Sequence, residues 1–268
     1  MALRLGLLLA LVWLGTAEAR AAEHPSLARA RALYNAADYD GAIAAATMAR
    51  PDASSADAAA LVLGRAHLER FRLRGDPADL MSAREALAAV RAPALLPRDQ
   101  LDLLVGLGQS LFLGEHFGAA AELFDTALSR AAVLPERDRW LLLEWWATAL
   151  EKEAQRRPLD RRPAVFERVV ARMEDELRAD PGNAPANYWL ALSARGAGDL
   201  DRAWHAAMAG WIRAGLRPDR AAAVRADLDR LVMQALIPER ARTRPTREQP
   251  EATAALRAEW DALKTQWQ

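Results

Sequence analysis

Residues 107–128 read LGQSLFLGEHFGAAAELFDTAL, and the spacing inside this stretch decides the fold. It opens on a large–small pair, Leu107-Gly108. After the polar turn Gly114-Glu115-His116 come Phe117, Ala120, Phe124, Ala127 and Leu128, at intervals of one, three and four residues. That is the period of two amphipathic helices, whereas a strand would alternate with period two. Small side chains at Gly108, Ala120 and Ala127 allow two helices to approach closely. Leu107, Phe117 and Phe124 fill the space beside them.

Working outward, apolar residues recur at helical spacing almost throughout, and breakers punctuate them at helix-length intervals. Helices are predicted over 25–37, 39–49, 55–73, 77–91, 97–114, 117–132, 136–156, 161–179, 184–197, 200–214 and 218–236. Asp76 or Asp79, Asn183 and Asp219 are candidate caps at helix starts. Ala37-Asp38-Tyr39-Asp40-Gly41-Ala42-Ile43, followed by Ala49, matches the turn and second helix of the central unit. Leu63-Gly64 supplies a further large–small pair, with its turn at Gly75-Asp76-Pro77. Leu190-Ala191, Gly198-Asp199-Leu200 and Ala203 supply a late one, and Trp146-Ala147 is a candidate pair between them.

These units resemble the tetratricopeptide repeat over roughly residues 25–215, as about five degenerate helix pairs. Several glycines and aromatics of the repeat are missing and two first helices are long. The resemblance implies an all-α, right-handed α-solenoid of stacked antiparallel helix pairs, with a groove lined by first helices that binds a protein or peptide partner. On the family's frame, Arg31, Tyr34, Asn35, Arg65, Glu69, Gln109, Phe112, Glu144, Tyr188 and Arg195 point into that groove. Residues 216–236 read as a capping helix that hides the last apolar face.

Composition narrows the function classes. Acidic and basic residues number 36 each, so net charge suggests neither nucleic acid nor an anionic membrane surface as partner. Lys152 and Lys264 are the only lysines, and there is no cysteine, which removes disulfides, thiolate zinc sites and a cysteine nucleophile. His24, His67, His116 and His205 show no metal-ligand spacing. No serine sits in a nucleophile-elbow context. Gly106-Leu107-Gly108 lies inside a helix with no preceding strand, so packing accounts for it and a phosphate loop does not. The expectation is a chain that is not an enzyme and carries no cofactor or metal.

The first residues carry a targeting pattern. Arg4 precedes the apolar run Leu5–Gly15, and Ala17-Glu18-Ala19 offers a small-x-small cleavage site. The run is shorter than the ~20 residues a membrane-spanning helix needs. A signal peptide over 1–19 and a periplasmic or secreted mature chain without a stable membrane span are therefore expected. The repeat domain then occupies 20–236. Pro238 is expected to end the capping helix, leaving a Pro/Arg-rich linker over 237–250. Residues 251–268 form an amphipathic helix striped by Leu256, Trp260, Leu263 and Trp267. Folding back of this helix on the body is favoured over docking on a partner, because an exposed double-tryptophan stripe invites aggregation. Trp140, Trp145 and Trp146 are expected mainly to fill space between helices, as are Trp189, Trp204 and Trp211.

The leading functional expectation is an interaction scaffold or adaptor of the bacterial cell envelope. A periplasmic small-molecule-binding accessory protein for uptake is the alternative, and a hydrolase a more remote one.

Overall fold

The computed structural model of the protein describes residues 24–131 and 134–267, so the predicted signal peptide lies outside the described residues. Among these residues there are helices and no strands. They are α1 Pro25–Asn35, α2 Tyr39–Ala49, α3 Ala56–Arg74, α4 Pro77–Ala88, α5 Pro97–Leu113, α6 Phe117–Ser129 and α7 Glu136–Arg156. There follow α8 Arg162–Ala179, α9 Ala184–Ala197, α10 Leu200–Arg213, α11 Pro218–Leu231, α12 Ile237–Arg242 and α13 Gln249–Gln266. None is long and apolar enough to cross a membrane. The chain forms two compact units, Met1–Trp146 and Ala147–Gln268.

In the first unit α1 packs on α2, α3 on α4, and α5 on α6, while α3 also packs on α1, α2 and α5. In the second unit α9 packs on α8, α10 and α11, and α13 packs on α12 and α10. Helices thus lie in adjacent pairs, as the sequence predicts.

Three of the turns inside these pairs share one backbone pattern. Ala37 and Glu115 adopt positive φ of 59° and 64°, and Gly198 one of 90°. The next residue's N–H then reaches back five residues: Asp38 to Leu33 O at 2.9 Å, His116 to Leu111 O at 2.8 Å, and Asp199 to Ala194 O at 3.0 Å. This left-handed closure satisfies the free carbonyls of the first helix. The same residue starts the second helix, accepting at its carbonyl from Ala42, Ala120 and Ala203 respectively. All three alanines are fully buried where the two helices meet.

The close approach predicted at Gly108 is present: a Cβ there would lie 2.5 Å from Cε1 of the fully buried Phe124 ring. Gly108→Ala should therefore destabilise the first unit by about 1–3 kcal/mol through overpacking. A midpoint in urea equal to that of the parent protein would contradict this packing.

The predicted caps divide. Asp76 and Asn183 accept from Ala78 N at 2.9 Å and Ala186 N at 3.1 Å. Asp219 does not cap α11, whose N-cap residue is Arg217. Pro238 does not end the helical path either. Residues 232–236 form a wide π turn in which the Ile237 N–H reaches Val232 O, and α12 continues through Pro238 to Arg242. In a regular helix the proline ring would collide with the carbonyl four residues back, and the widened turn relieves that clash. Within the expected linker, residues 237–242 are therefore helical, and a single 3₁₀ turn occupies Thr246–Glu248.

Helix α13 folds back on its own unit. Trp260 is fully buried, 6.1 Å from the Trp204 ring and edge-on to Trp211 at 5.4 Å. Its indole N–H donates to Asp229 Oδ1 at 2.8 Å, and Lys264 Nζ donates to the same oxygen at 2.9 Å. Trp267 remains exposed, but its carbonyl accepts from Trp211 Nε1 and Arg225 Nη2.

Candidate functional site

The residues predicted for a groove in the first unit converge, but most are buried. Arg65, Glu69 and Arg72 stand at i, i+4 and i+7 on α3, so they share one helix face. Tyr34 of α1 and Asp102 and Gln109 of α5 are buried with Arg65 and Glu69. The Arg65 guanidinium lies 4.9 Å from the Tyr34 ring centre, a cation–π contact, and Nη1 is 3.1 Å from Asp102 Oδ1. Around this pair, Arg31 Nη2 donates to Asp99 Oδ2 at 2.8 Å and Arg72 Nη1 to Glu69 Oε2 at 2.7 Å.

Burial dominates the electrostatics. Arg65 and Asp102 are each only 2% exposed. No well-aligned hydrogen bond reaches the Arg65 nitrogens, Asp102 Oδ2 or Gln109 Nε2. The 3.1 Å contact is thus a charge pair of imperfect geometry. Burial pushes the Asp102 carboxyl above the usual carboxylate range, with Arg65, Arg98 and Arg31 pulling it back. Burial likewise raises Glu69 against Arg72 and Arg65, and raises Asp138 of α7 against Arg98 and Arg137. It also pushes the Tyr34 hydroxyl well above the tyrosine range, which keeps it protonated at neutral pH. In each case the loss of hydration on burial outweighs the neighbouring charges.

An aromatic group adjoins this cluster. Trp145 of α7 is half-buried, edge-on to Phe112 at 4.9 Å and tilted against Phe124 at 5.9 Å. The Arg72 guanidinium lies 5.7 Å from the Trp145 ring centre. Trp140 and Trp146 are buried, in keeping with a space-filling role. Arg31, Asn35 and Glu144 are partly exposed, whereas Tyr34, Arg65, Glu69, Gln109 and Phe112 are buried. The first unit therefore offers a buried, charge-balanced base with a few partly exposed polar side chains and one tryptophan.

In the second unit, Tyr188 is partly exposed and lies edge-on to Trp189 at 5.8 Å. Arg195 grips Glu239 of α12 through Nε at 2.8 Å and Nη2 at 2.5 Å. Sequence reasoning missed Glu239 because it is 44 residues away, in a segment expected to be a linker. It also missed Asp99, Asp102 and Asp138. The i, i+3 spacing of Asp99 and Asp102 on α5 was a readable signal of a shared helix face.

His67 acquires a carboxylate neighbour that its spacing does not announce. Its Nδ1 is 2.8 Å from Asp79 Oδ1, and Asp79 also accepts from Arg70 Nε and Nη2. These Arg70 hydrogen bonds are the main reason the Asp79 carboxyl sits below its usual range, with burial opposing them and His67 assisting. A depressed folded-state pKa stabilises the fold above the unfolded carboxylate's range, and that stability is lost as pH falls through the lowered value. Asp79→Asn should thus cost roughly 1.5–3 kcal/mol at pH 7 and progressively less toward pH 2. Parallel stability curves for the variant and the parent across that range would contradict the assignment.

Among the described residues, no three histidine, aspartate or glutamate side chains are grouped to hold a metal ion. Comparison with protein-family models, with curated proteins and with solved structures finds no match to this chain.

Proposed function

We propose that the chain is a non-enzymatic interaction scaffold of the bacterial cell envelope, built from stacked helix pairs of the tetratricopeptide type and holding a segment of a partner protein. The observation that carries this reading is the recurrence of one left-handed turn at Ala37, Glu115 and Gly198, with a buried alanine four residues into each following helix. A turn repeated along a chain is the mark of a repeat architecture, in which neighbouring pairs bury each other's apolar faces. The packing of α3 against both α1 and α5 supports the stacking of first helices within the first unit.

On this reading Tyr34, Arg65, Glu69 and Gln109 set the base of the groove and are not its contact surface. Recognition falls to Arg31, Asn35, Glu144 and Trp145, since arginine and tryptophan anchor interfaces most often. The leader pattern over 1–19 supports export.

The test is site-specific photocrosslinking in intact bacteria, with the photoreactive residue at Asn35 or Glu144 and at the exposed Met48 as control. The expected result is a discrete adduct from the first two positions, reduced at least severalfold by Trp145→Ala and absent from the control. Adducts that do not depend on position, or that survive Trp145→Ala unchanged, would refute this groove. Fractionation that leaves the full-length protein in the cytoplasm would refute the envelope assignment.

A further inference from the structure

Two arginine-rich stretches of the second unit meet at one end of it. The connection between α7 and α8 reads Gln155-Arg156-Arg157-Pro158-Leu159-Asp160-Arg161-Arg162, four arginines against one acid. Residues 240–247 hold four more arginines and no acid. Packing brings the two stretches to the same end. A Cβ on Gly196 would lie 2.6 Å from the Phe166 ring, so the start of α8 sits beside the end of α9. Arg195 at the end of α9 grips Glu239 of α12, and Arg240 lies 2.8 Å from Asp201 at the start of α10.

The positive charge there is not neutralised locally. Asp201 is taken by Arg240 and Glu248 by Arg247, while Asp199 caps α10 through Arg202 N. With Asp160 and Glu251 added, five acids stand against the eight arginines. Arg161, Arg242 and Arg244 are exposed and have no ion-pair partner among the described residues. Net charge summed over the chain hides this surplus, because a surface potential follows the local distribution of charge.

The α7–α8 connection also presents an apolar side chain. Leu159 is 76% exposed, more than any other large apolar residue described. Its turn is held in place: the Arg161 N–H donates to Pro158 O, and the Arg162 guanidinium donates to Arg157 O at 3.0 Å and Gln155 O at 3.1 Å. Residues 155–161 are all exposed, so the connection is convex. A convex tip offers no groove to an extended peptide or a helix. It suits a flat surface that carries negative charge over apolar material, where basic side chains meet phosphates and an apolar group enters the boundary beneath them.

We propose that this end of the second unit rests on an anionic phospholipid surface. The arginines of 156–162 and 240–247 meet the lipid phosphates, and Leu159 enters the acyl boundary between them. The contact is peripheral and separate from the groove assigned to the first unit, so either can fail without the other.

The test is flotation of the mature chain, residues 20–268, with vesicles of phosphatidylglycerol and phosphatidylcholine in equal parts, beside pure phosphatidylcholine. Without residues 1–19 the apolar leader cannot contribute. Binding to the mixed vesicles is expected at low salt, with little to pure phosphatidylcholine and little once salt is raised. Arg161→Glu/Arg244→Glu reverses two exposed, unpaired charges and should weaken binding roughly tenfold or more. Leu159→Ser, at an exposed position, should weaken it severalfold with the charge intact. Arg213→Glu/Arg220→Glu changes net charge equally at the opposite end of α10, and should leave binding within about twofold of the parent because salt screens distant charges. The proposal is overturned by the absence of binding to the mixed vesicles, by equal binding to both, or by a loss no greater in Arg161→Glu/Arg244→Glu than in the Arg213/Arg220 control. An unaffected Leu159→Ser overturns it too. So does tighter binding of polyglutamate than of the mixed vesicles, which would assign the surface to an acidic protein segment.

Discussion

Arg65→Met will destabilise the first unit by about 3–5 kcal/mol, the cost of leaving a buried carboxylate without its counter-charge. Arg65 is among the largest fully buried side chains, and its substitution removes the first of the charges that hold down Asp102, itself 2% exposed, leaving the weaker pull of Arg98 and Arg31. Methionine replaces most of the aliphatic volume, so the loss reports charge and not a cavity. Two further outcomes separate this cause from a general packing defect. The double variant Arg65→Met/Asp102→Leu should recover most of the loss, because an apolar pair of similar volume in a buried site is often neutral or better. The deficit of the single variant should also depend on pH. Burial already raises Asp102, and without Arg65 it rises further. The folded state then holds a proton that the unfolded state releases, so stability is retained near pH 4 and lost as pH rises through the raised value. Hydrogen exchange of the α3 and α5 amides measures both effects. A deficit that persists in the double variant, or that is equal at pH 4 and pH 8, would contradict the charge-pair explanation.

Trp260→Ala will release the C-terminal helix. Truncating a fully buried tryptophan costs about 3–5 kcal/mol. Only Trp260 and Leu263 of α13 are buried, so once the ring is gone the helix keeps one buried apolar side chain and a few partly exposed polar contacts, Lys264 to Asp229 and Trp204 to Glu259 among them. The variant also removes the hydrogen bond to Asp229 and opens the packing between Trp204 and Trp211. Because α13 is terminal, the loss appears as local opening while the rest of the second unit stays folded. Limited proteolysis should cut within 243–260 in the variant under conditions where the parent chain survives, and the α9 and α10 amides should keep their protection. Trp260→Phe, which keeps a ring but no N–H donor, should fall between the two. Protection of α13 at parental levels in Trp260→Ala would refute this anchoring.

Much of the fold is legible along the chain. Helical period, proline at helix starts and the turns at Ala37-Asp38, Gly114-Glu115 and Gly198-Asp199 are local properties of adjacent residues, and they place α1 to α10 within a few positions. The error at Pro238 is equally physical. Proline alone predicts a stop, whereas the path past it depends on a π turn whose residues give no distinctive signal. In the site, the sequence indicated that Arg65 and Glu69 share a face of α3 but not that this face is closed off by α1 and α5. Asp102 stands 37 residues from Arg65 in the chain, and only helix packing brings the two together.

The helices, their pairing and the small residues on which that pairing depends can be read along the chain, because each rests on interactions within a turn or between neighbouring segments. Which arginines are buried, which carboxylates neutralise them and where α13 comes to rest emerge only once the helices pack. Those outcomes depend on desolvation and on contacts between residues dozens of positions apart, and neither is a property of a local stretch of residues.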